Sequence, residues 1–234
     1  MSKSEFSAGR LRPVVLFDLD GTLVDTTSTI VTAFQQMIGL LQLPLPADMQ
    51  TSDYLRRYVG PPLLEAMMDL NPGAALPIWE QMIEIQRDFY IPIASTAPVF
   101  DGIQDLLFNL SKKNIRLAVA TSKPLEIARN ILNARKLSVY FEVIVGSKDD
   151  KKSGKAQIVK EAIAELNARE EVMIERIVMV GDRKYDIIGA RQNNIPSFFV
   201  TWAGTAELDE AVGSYGKFST PQALGLALER YFFD

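Results

Sequence analysis

The sequence predicts an α/β protein, a doubly wound parallel sheet with an inserted all-helical cap. Three observations carry this expectation. Short apolar runs rich in β-branched residues recur along the chain, helical periodicity fills the gaps between them, and residues 26–98 show helical patterning alone. Alternating strand and helix places a parallel sheet between two helical layers, and such sheets bind ligands beyond the carboxyl ends of their strands.

The first run, Pro13–Phe17, is continuous and apolar and ends abruptly in Asp18-Leu19-Asp20-Gly21-Thr22, as a buried strand feeding a polar turn does. Residues 26–98 then break the alternation. Ile30, Phe34, Met37, Ile38 and Leu41 share one helical stripe, and Trp79, Met82, Ile83 and Gln86 share another. Prolines at Leu43–Pro46, Pro61–Pro62 and Pro92–Pro98 punctuate it, so residues 26–98 read as a small helical domain on two linkers. The α/β domain is accordingly expected over residues 1–25 and 99–234. Its remaining strands fall at Ile115–Ala120, Phe141–Val145, Ile177–Val180 and Phe198–Val200. Helical patterns fall at Ile103–Leu110, Leu125–Leu132, Ala156–Leu166, Ile187–Gln192 and, last, Pro221–Phe233.

Composition narrows the chemistry. The 234 residues include neither histidine nor cysteine, which excludes Ser-His-Asp and Cys-His triads, thiolate attack and imidazole-held zinc. Catalysis has to run on carboxylates, hydroxyls, amines, backbone dipoles or a hard metal held by oxygen. A net charge of -4 gives no support for a nucleic-acid polymer or an anionic membrane as partner. No apolar run is long enough to span a bilayer, and the opening MSKSEFSAGRLRP has no secretory character, so cytoplasmic residence is the expectation.

Four constellations hold the residues that do chemistry. Asp18 and Asp20 sit two apart at a strand end and point the same way if strand geometry persists, and Gly21 allows a sharp turn. Thr121 and Ser122 close the second strand, where hydroxyls and backbone N–H groups either cradle a phosphate or cap the next helix. Pro124 suits the first helical position, and Lys123 beside it reads as solvated. Lys155 shares one helical stripe with Val159, Ala162 and Leu166, which carries a lysine at the helix start toward the strand ends. Lys151 and Lys152 are its possible substitutes. Finally, Gly181-Asp182 ends a strand and Asp186 follows four residues later. The pair either decorates a helix terminus or joins Asp18 in an all-oxygen site suited to Mg²⁺.

Asp18-Leu19-Asp20-Gly21-Thr22-Leu23-Val24-Asp25, the strand closed by Thr121, Lys155 and Gly181-Asp182-Arg183-Lys184-Tyr185-Asp186 occur in that order. Together they resemble haloacid dehalogenase-like superfamily hydrolases over essentially the entire chain, in the phosphoglycolate phosphatase and nucleotidase-like branch. The resemblance implies a Rossmann-like core with a helical cap. It implies that Asp18 is the nucleophile, that Asp20 is the acid/base and lends its backbone carbonyl to Mg²⁺, and that Asp182 is a further metal ligand. Thr121, Ser122 and Lys155 would bind phosphate, with Gly21, Thr22 and Asp186 in support. The second aspartate, Asp20, is the residue the dehalogenating branch lacks, so phosphate chemistry is implied rather than halide chemistry.

In the helical insertion, Arg57, Tyr58, Gly60 and Pro61 resemble the family's substrate loop. Arg56 or Arg57 would hold a substrate anion or simply stay in solvent, and Tyr54, Tyr58 and Trp79 would stack a base or pack the cap core. The expected activity is Mg²⁺-dependent hydrolysis of a small phosphorylated metabolite, phosphoglycolate-like or a nucleoside monophosphate, through an aspartyl phosphate, by a monomer or dimer. A phosphosugar mutase of the same family and a catalytically inactive phosphate-binding regulator stay open. A phosphonate hydrolase needs a cap lysine for its Schiff base, and residues 26–98 contain none.

Overall fold

A computed structural model describes residues 12–147, 154–204 and 209–234. Six parallel strands form one sheet: β1 Val14–Phe17, β2 Arg116–Pro124, β3 Val143–Ser147, β4 Ile177–Gly181, β5 Ser197–Val200 and β6 Gly216–Phe218. Their order is β3-β2-β1-β4-β5-β6. The order reverses at β1, which pairs with β2 on one side and β4 on the other. That position is the switch point at which open α/β sheets form a crevice.

Successive residues of each strand serve opposite faces. Val15, Phe17, Leu117, Val119, Val178 and Val180 join one core, while Val14, Leu16, Ala118, Ala120, Ile177 and Met179 join the other. On the first face lie α5 Ile103–Lys112, α6 Leu125–Ala134 and α9 Pro221–Phe233; on the second lie α7 Lys155–Arg169 and α8 Lys184–Gln192. Both faces are covered, which is why the strands read as continuous apolar runs instead of alternating ones.

The sequence pattern differs from the structure at three places. β6 has only three residues and no apolar run; the Phe218 ring, stacked 5.6 Å from Phe198, fixes this edge. β2 continues to Pro124 past a register shift between Ala120 and Pro124, so Pro124 caps α6 from outside its first turn. In the insertion, α4 (Leu76–Ala94) carries Pro92 inside its last turn and ends two residues later. A proline there removes one hydrogen bond near an end that frays in any case, so the helix continues past it.

The insertion consists of α1 Thr27–Leu41, α2 Ser52–Leu55, α3 Leu63–Leu70 and α4, with α1 and α3 packed on α4. Its entry and exit run side by side. Asp25 N–H donates to Pro98 O at 2.8 Å, Phe100 N–H donates to Leu23 O at 3.2 Å, and Val24 bridges Val99 antiparallel. Among the described residues no helix is long and apolar enough to cross a membrane.

Arg116 opens β2 yet is only 1% exposed. It donates to Glu142 at 2.9 Å and to the α7 C-terminal carbonyls of Leu166 and Glu170 at 3.0 and 2.9 Å. These carbonyls lie where a helix runs out of its own donors. Arg116→Met is expected to cost about 3 kcal/mol, read as a lower urea midpoint, because it strips a charged donor from Glu142 and from both carbonyls, of which Leu166 O keeps the Glu170 N–H.

Candidate functional site

The carboxyl ends of β1, β2 and β4 are brought level by their register, Phe17 opposite both Val119 and Val180. Asp18 is anchored there by its N–H, which donates to Val180 O at 2.8 Å. The chain then turns within five residues, with Gly21 N–H donating to Val24 O at 3.0 Å and Leu23 N–H to Leu19 O at 2.9 Å. Gly21 has φ of +74°, and a Cβ there would stand 2.1 Å from Asp182 Oδ2. Backbone conformation and close approach both require glycine at this point. Gly21→Ala is expected to lose at least about 2 kcal/mol by thermal denaturation, from left-handed strain plus the collision with Asp182.

Asp18, Asp182 and Asp186 each present an oxygen within 4.8 Å of the others. Lys155, 8% exposed at the first residue of α7, reaches Asp18 Oδ1 at 2.6 Å and Asp186 Oδ1 at 2.7 Å. Burial works against its charge, but Asp18 and Asp186 outweigh it and hold the ammonium more basic than usual. Asp186 Oδ2 accepts from Arg183 N–H at 3.1 Å at the start of α8, which fixes its carboxylate. Thr22 Oγ1 donates to Asp182 Oδ1 at 3.4 Å, and Trp202 clamps the turn by donating to Thr22 O at 3.1 Å.

Burial, with Asp186 and Asp18 adding to it, pushes the Asp182 carboxyl well above the ordinary aspartate range. Burial likewise raises Asp186, against the pull of Lys155. Among the described residues Asp18, Asp182 and Asp186 crowd three buried carboxyl groups around Lys155. Their donor set, oxygen only and from few side chains, fits a hard divalent cation such as Mg²⁺.

Asp20 departs from this group. Its Oδ2 meets Lys123 Nζ at 3.0 Å, while its Oδ1 is buried without a hydrogen-bond partner among the described residues. The Lys123 that the sequence reads as solvated is 9% exposed, and it also donates to the Tyr90 hydroxyl of α4 at 2.8 Å. Thr121 is buried, with its Oγ1 accepting from Lys123 N–H at 3.2 Å, whereas Ser122 is exposed. Lys151 and Lys152 lie outside the described residues.

A cavity of about 310 Å³ separates sheet and insertion, with Asp20, Ser122, Lys123 and Lys155 on its floor and Tyr58, Gly60, Pro61, Gln86, Arg87 and Tyr90 above. Of the residues expected in the substrate loop, Arg57 alone is not on the wall; it is exposed and stacks at 3.8 Å on the Tyr54 ring. Tyr58 packs on Phe34 at 5.3 Å and donates to Asp69 at 2.5 Å, and Trp79 donates to Asn71 O at 2.9 Å, so both serve the packing of the helical part. Sequence reasoning missed Gln86, Arg87 and Tyr90; their i, i+1 and i+4 spacing on α4 places one helix edge over the crevice. Arg183 bonds Val59 O and meets Glu210 at 3.0 Å, and Tyr185 donates to Glu65 at 3.2 Å, so the loop after β4 also holds the insertion.

A model of haloacid dehalogenase-like hydrolases matches residues 15–200, spanning the β1 turn, the β2 end, Lys155 and the Asp182–Asp186 loop. The chain belongs to that family. Similar proteins carry several names. Tyrosine-protein kinase PtkA of Mycobacterium tuberculosis is 35% identical over 84% of this chain, which spans 64% of that protein's length. A 5'-nucleotidase of Pseudomonas aeruginosa is 34% identical over 78% of this chain and 80% of its own. The crystal structure of a predicted phosphatase from Clostridium acetobutylicum superposes with a TM-score of 0.83 at 32% identity, covering 94% of this chain and all of that one.

Proposed function

We propose that this chain is a Mg²⁺-dependent phosphomonoester hydrolase that works through an aspartyl phosphate on Asp18. The observation that carries the reading is the single Lys155 ammonium bridging Asp18 and Asp186, with Asp182 alongside and Asp20 set apart on the cavity floor. Asp18 forms a bond to phosphorus as the ester oxygen leaves, and Asp20 gives that oxygen its proton. Water then attacks the same phosphorus, Asp20 takes its proton, and the Asp18–phosphorus bond breaks to release inorganic phosphate. Lys155 offsets charge on the phosphoryl oxygens, and Thr121 and Ser122 with nearby backbone N–H groups orient them. Mg²⁺, held by Asp18, Asp182, Asp186 and the backbone carbonyl of Asp20, would neutralise phosphoryl charge when bound.

In this reading residues 1–25 and 99–234 form the catalytic domain and residues 26–98 the cap that excludes bulk water. Substrates are small phosphorylated metabolites, phosphoglycolate-like or nucleoside monophosphates, met in the cytoplasm by a monomer or dimer. The relatives named tyrosine kinases support a second reading, phosphoryl transfer to a tyrosine hydroxyl.

One experiment separates the two. The protein is incubated with Mg²⁺ and a panel including phosphoglycolate, nucleoside monophosphates and sugar phosphates, and separately with ATP and a tyrosine-containing polymer. Phosphate release from the panel supports hydrolysis. Its absence together with phosphotyrosine formation replaces that reading with the second.

A further inference from the structure

Among the described residues two lysines line this crevice, and they divide it. Lys155 contacts Asp18 and Asp186. Lys123 contacts Asp20, and is itself gripped by Tyr90, with its Nζ 4.4 Å from the ring centroid and 2.8 Å from the hydroxyl. Tyr90 is 4% exposed, on α4 of the insertion. A contact chain thus runs from the insertion through Tyr90 and Lys123 to the Asp20 carboxylate.

We propose that Lys123 and Tyr90 are positioning residues that aim Asp20 at the leaving oxygen. The proposal rests on the hydrolase reading, in which Asp20 handles that oxygen's proton. Lys123 ties down Oδ2 and thereby fixes the rotation of the carboxylate on the cavity floor. An acid/base group has to be held within about 0.5 Å and 10–20° of its productive geometry, and a lysine that touches its carboxyl group and is itself held by Tyr90 supplies that hold. Burial opposes the Lys123 charge, and Asp20 and Tyr90 overcome it, holding the ammonium more basic than usual. Because Tyr90 comes from the insertion, the aim of Asp20 depends on α4 being seated over the crevice.

The test compares kcat/KM for two esters whose leaving groups differ in their need for a proton: p-nitrophenyl phosphate, whose phenolate departs unaided, and glycerol 2-phosphate, whose alkoxide does not. Lys123→Met is expected to lower kcat/KM for the alkyl ester about 100-fold, at least ten times more than for the aryl ester. Tyr90→Phe, which removes only a hydroxyl and should melt near the wild type, is expected to show the same bias at about 10-fold, and Lys123→Arg to recover part of it. Equal losses on both esters, or no loss, overturn the proposal. If wild-type protein releases phosphate from neither ester and from no member of the metabolite panel, the hydrolase reading fails. A crystal structure of Lys123→Met then decides the positioning claim alone: an Asp20 carboxylate turned away from its wild-type rotamer upholds it, and an unmoved one overturns it.

Discussion

Replacing Asp18 by Asn is expected to abolish phosphate release, by more than about 10⁴-fold in kcat, while leaving the melting temperature within a few degrees of wild type. The amide is the same size and keeps an oxygen for Lys155, which now stands 2.6 Å from Asp18 Oδ1. It cannot serve as the anionic nucleophile, so no aspartyl phosphate forms. The variant also removes one charge from a trio whose oxygens lie within 4.8 Å of each other. That relief of repulsion offsets part of the weakened ion pair, which is why stability should barely move as activity vanishes. Turnover at even a tenth of the wild-type rate, measured as inorganic phosphate, sinks the nucleophile assignment.

The second large effect concerns Lys155→Met, which is expected to lower kcat/KM by about 10³-fold and to destabilise the protein by about 3 kcal/mol without divalent cations. Asp18 and Asp186 then lose the one charge that bridges them at 2.6 and 2.7 Å. The stability loss should depend on pH in a definite direction. Asp182 and Asp186 are already raised by burial, Asp186 from 3.8 to about 6, and losing Lys155 raises them further. A carboxyl raised on folding contributes its full stability below the unfolded value and loses it as pH rises through the folded value. The variant should therefore melt closest to wild type near pH 4 and diverge from it through pH 6 and above, with added Mg²⁺ narrowing the gap. A pH-independent difference in melting temperature contradicts this account.

The parts of the site readable in the sequence are those announced by a strand ending in a polar residue. Asp18, Thr121 and Asp182 each follow a short apolar run, and parallel pairing forces such ends to one side of the sheet. Lys155 was visible because a charged residue interrupts an otherwise apolar stripe on α7. Lys123 gave no such signal. It lies in the irregular last part of β2, where the register shifts and alternation no longer tells inside from outside, and its partners Asp20 and Tyr90 are remote in sequence. Arg116 was equally silent, since a charged first residue of a strand ordinarily faces water; its acceptors arrive from α7 only on folding. In the insertion, residue type misled: Arg57 has the right chemistry and spends it on the Tyr54 ring, while Arg87, one helix away, lines the cavity.

The paired crossings at Leu23–Asp25 and Pro98–Phe100 give the insertion an unusual standing as a piece of polymer. Everything between them is an excursion that departs from and returns to one spot, and it meets the α/β part again at points such as Tyr90–Lys123 and Val59–Arg183. Closing such an excursion grows costlier only logarithmically, by about 0.6 kcal/mol for each doubling of its length. Residues can thus be added to or removed from it at little expense to the sheet's own stability. As long as Tyr90 keeps its place over Lys123, the sheet and its carboxylates can stay fixed while the rest of the excursion drifts in size and sequence, so the selectivity of this crevice can change faster than its chemistry.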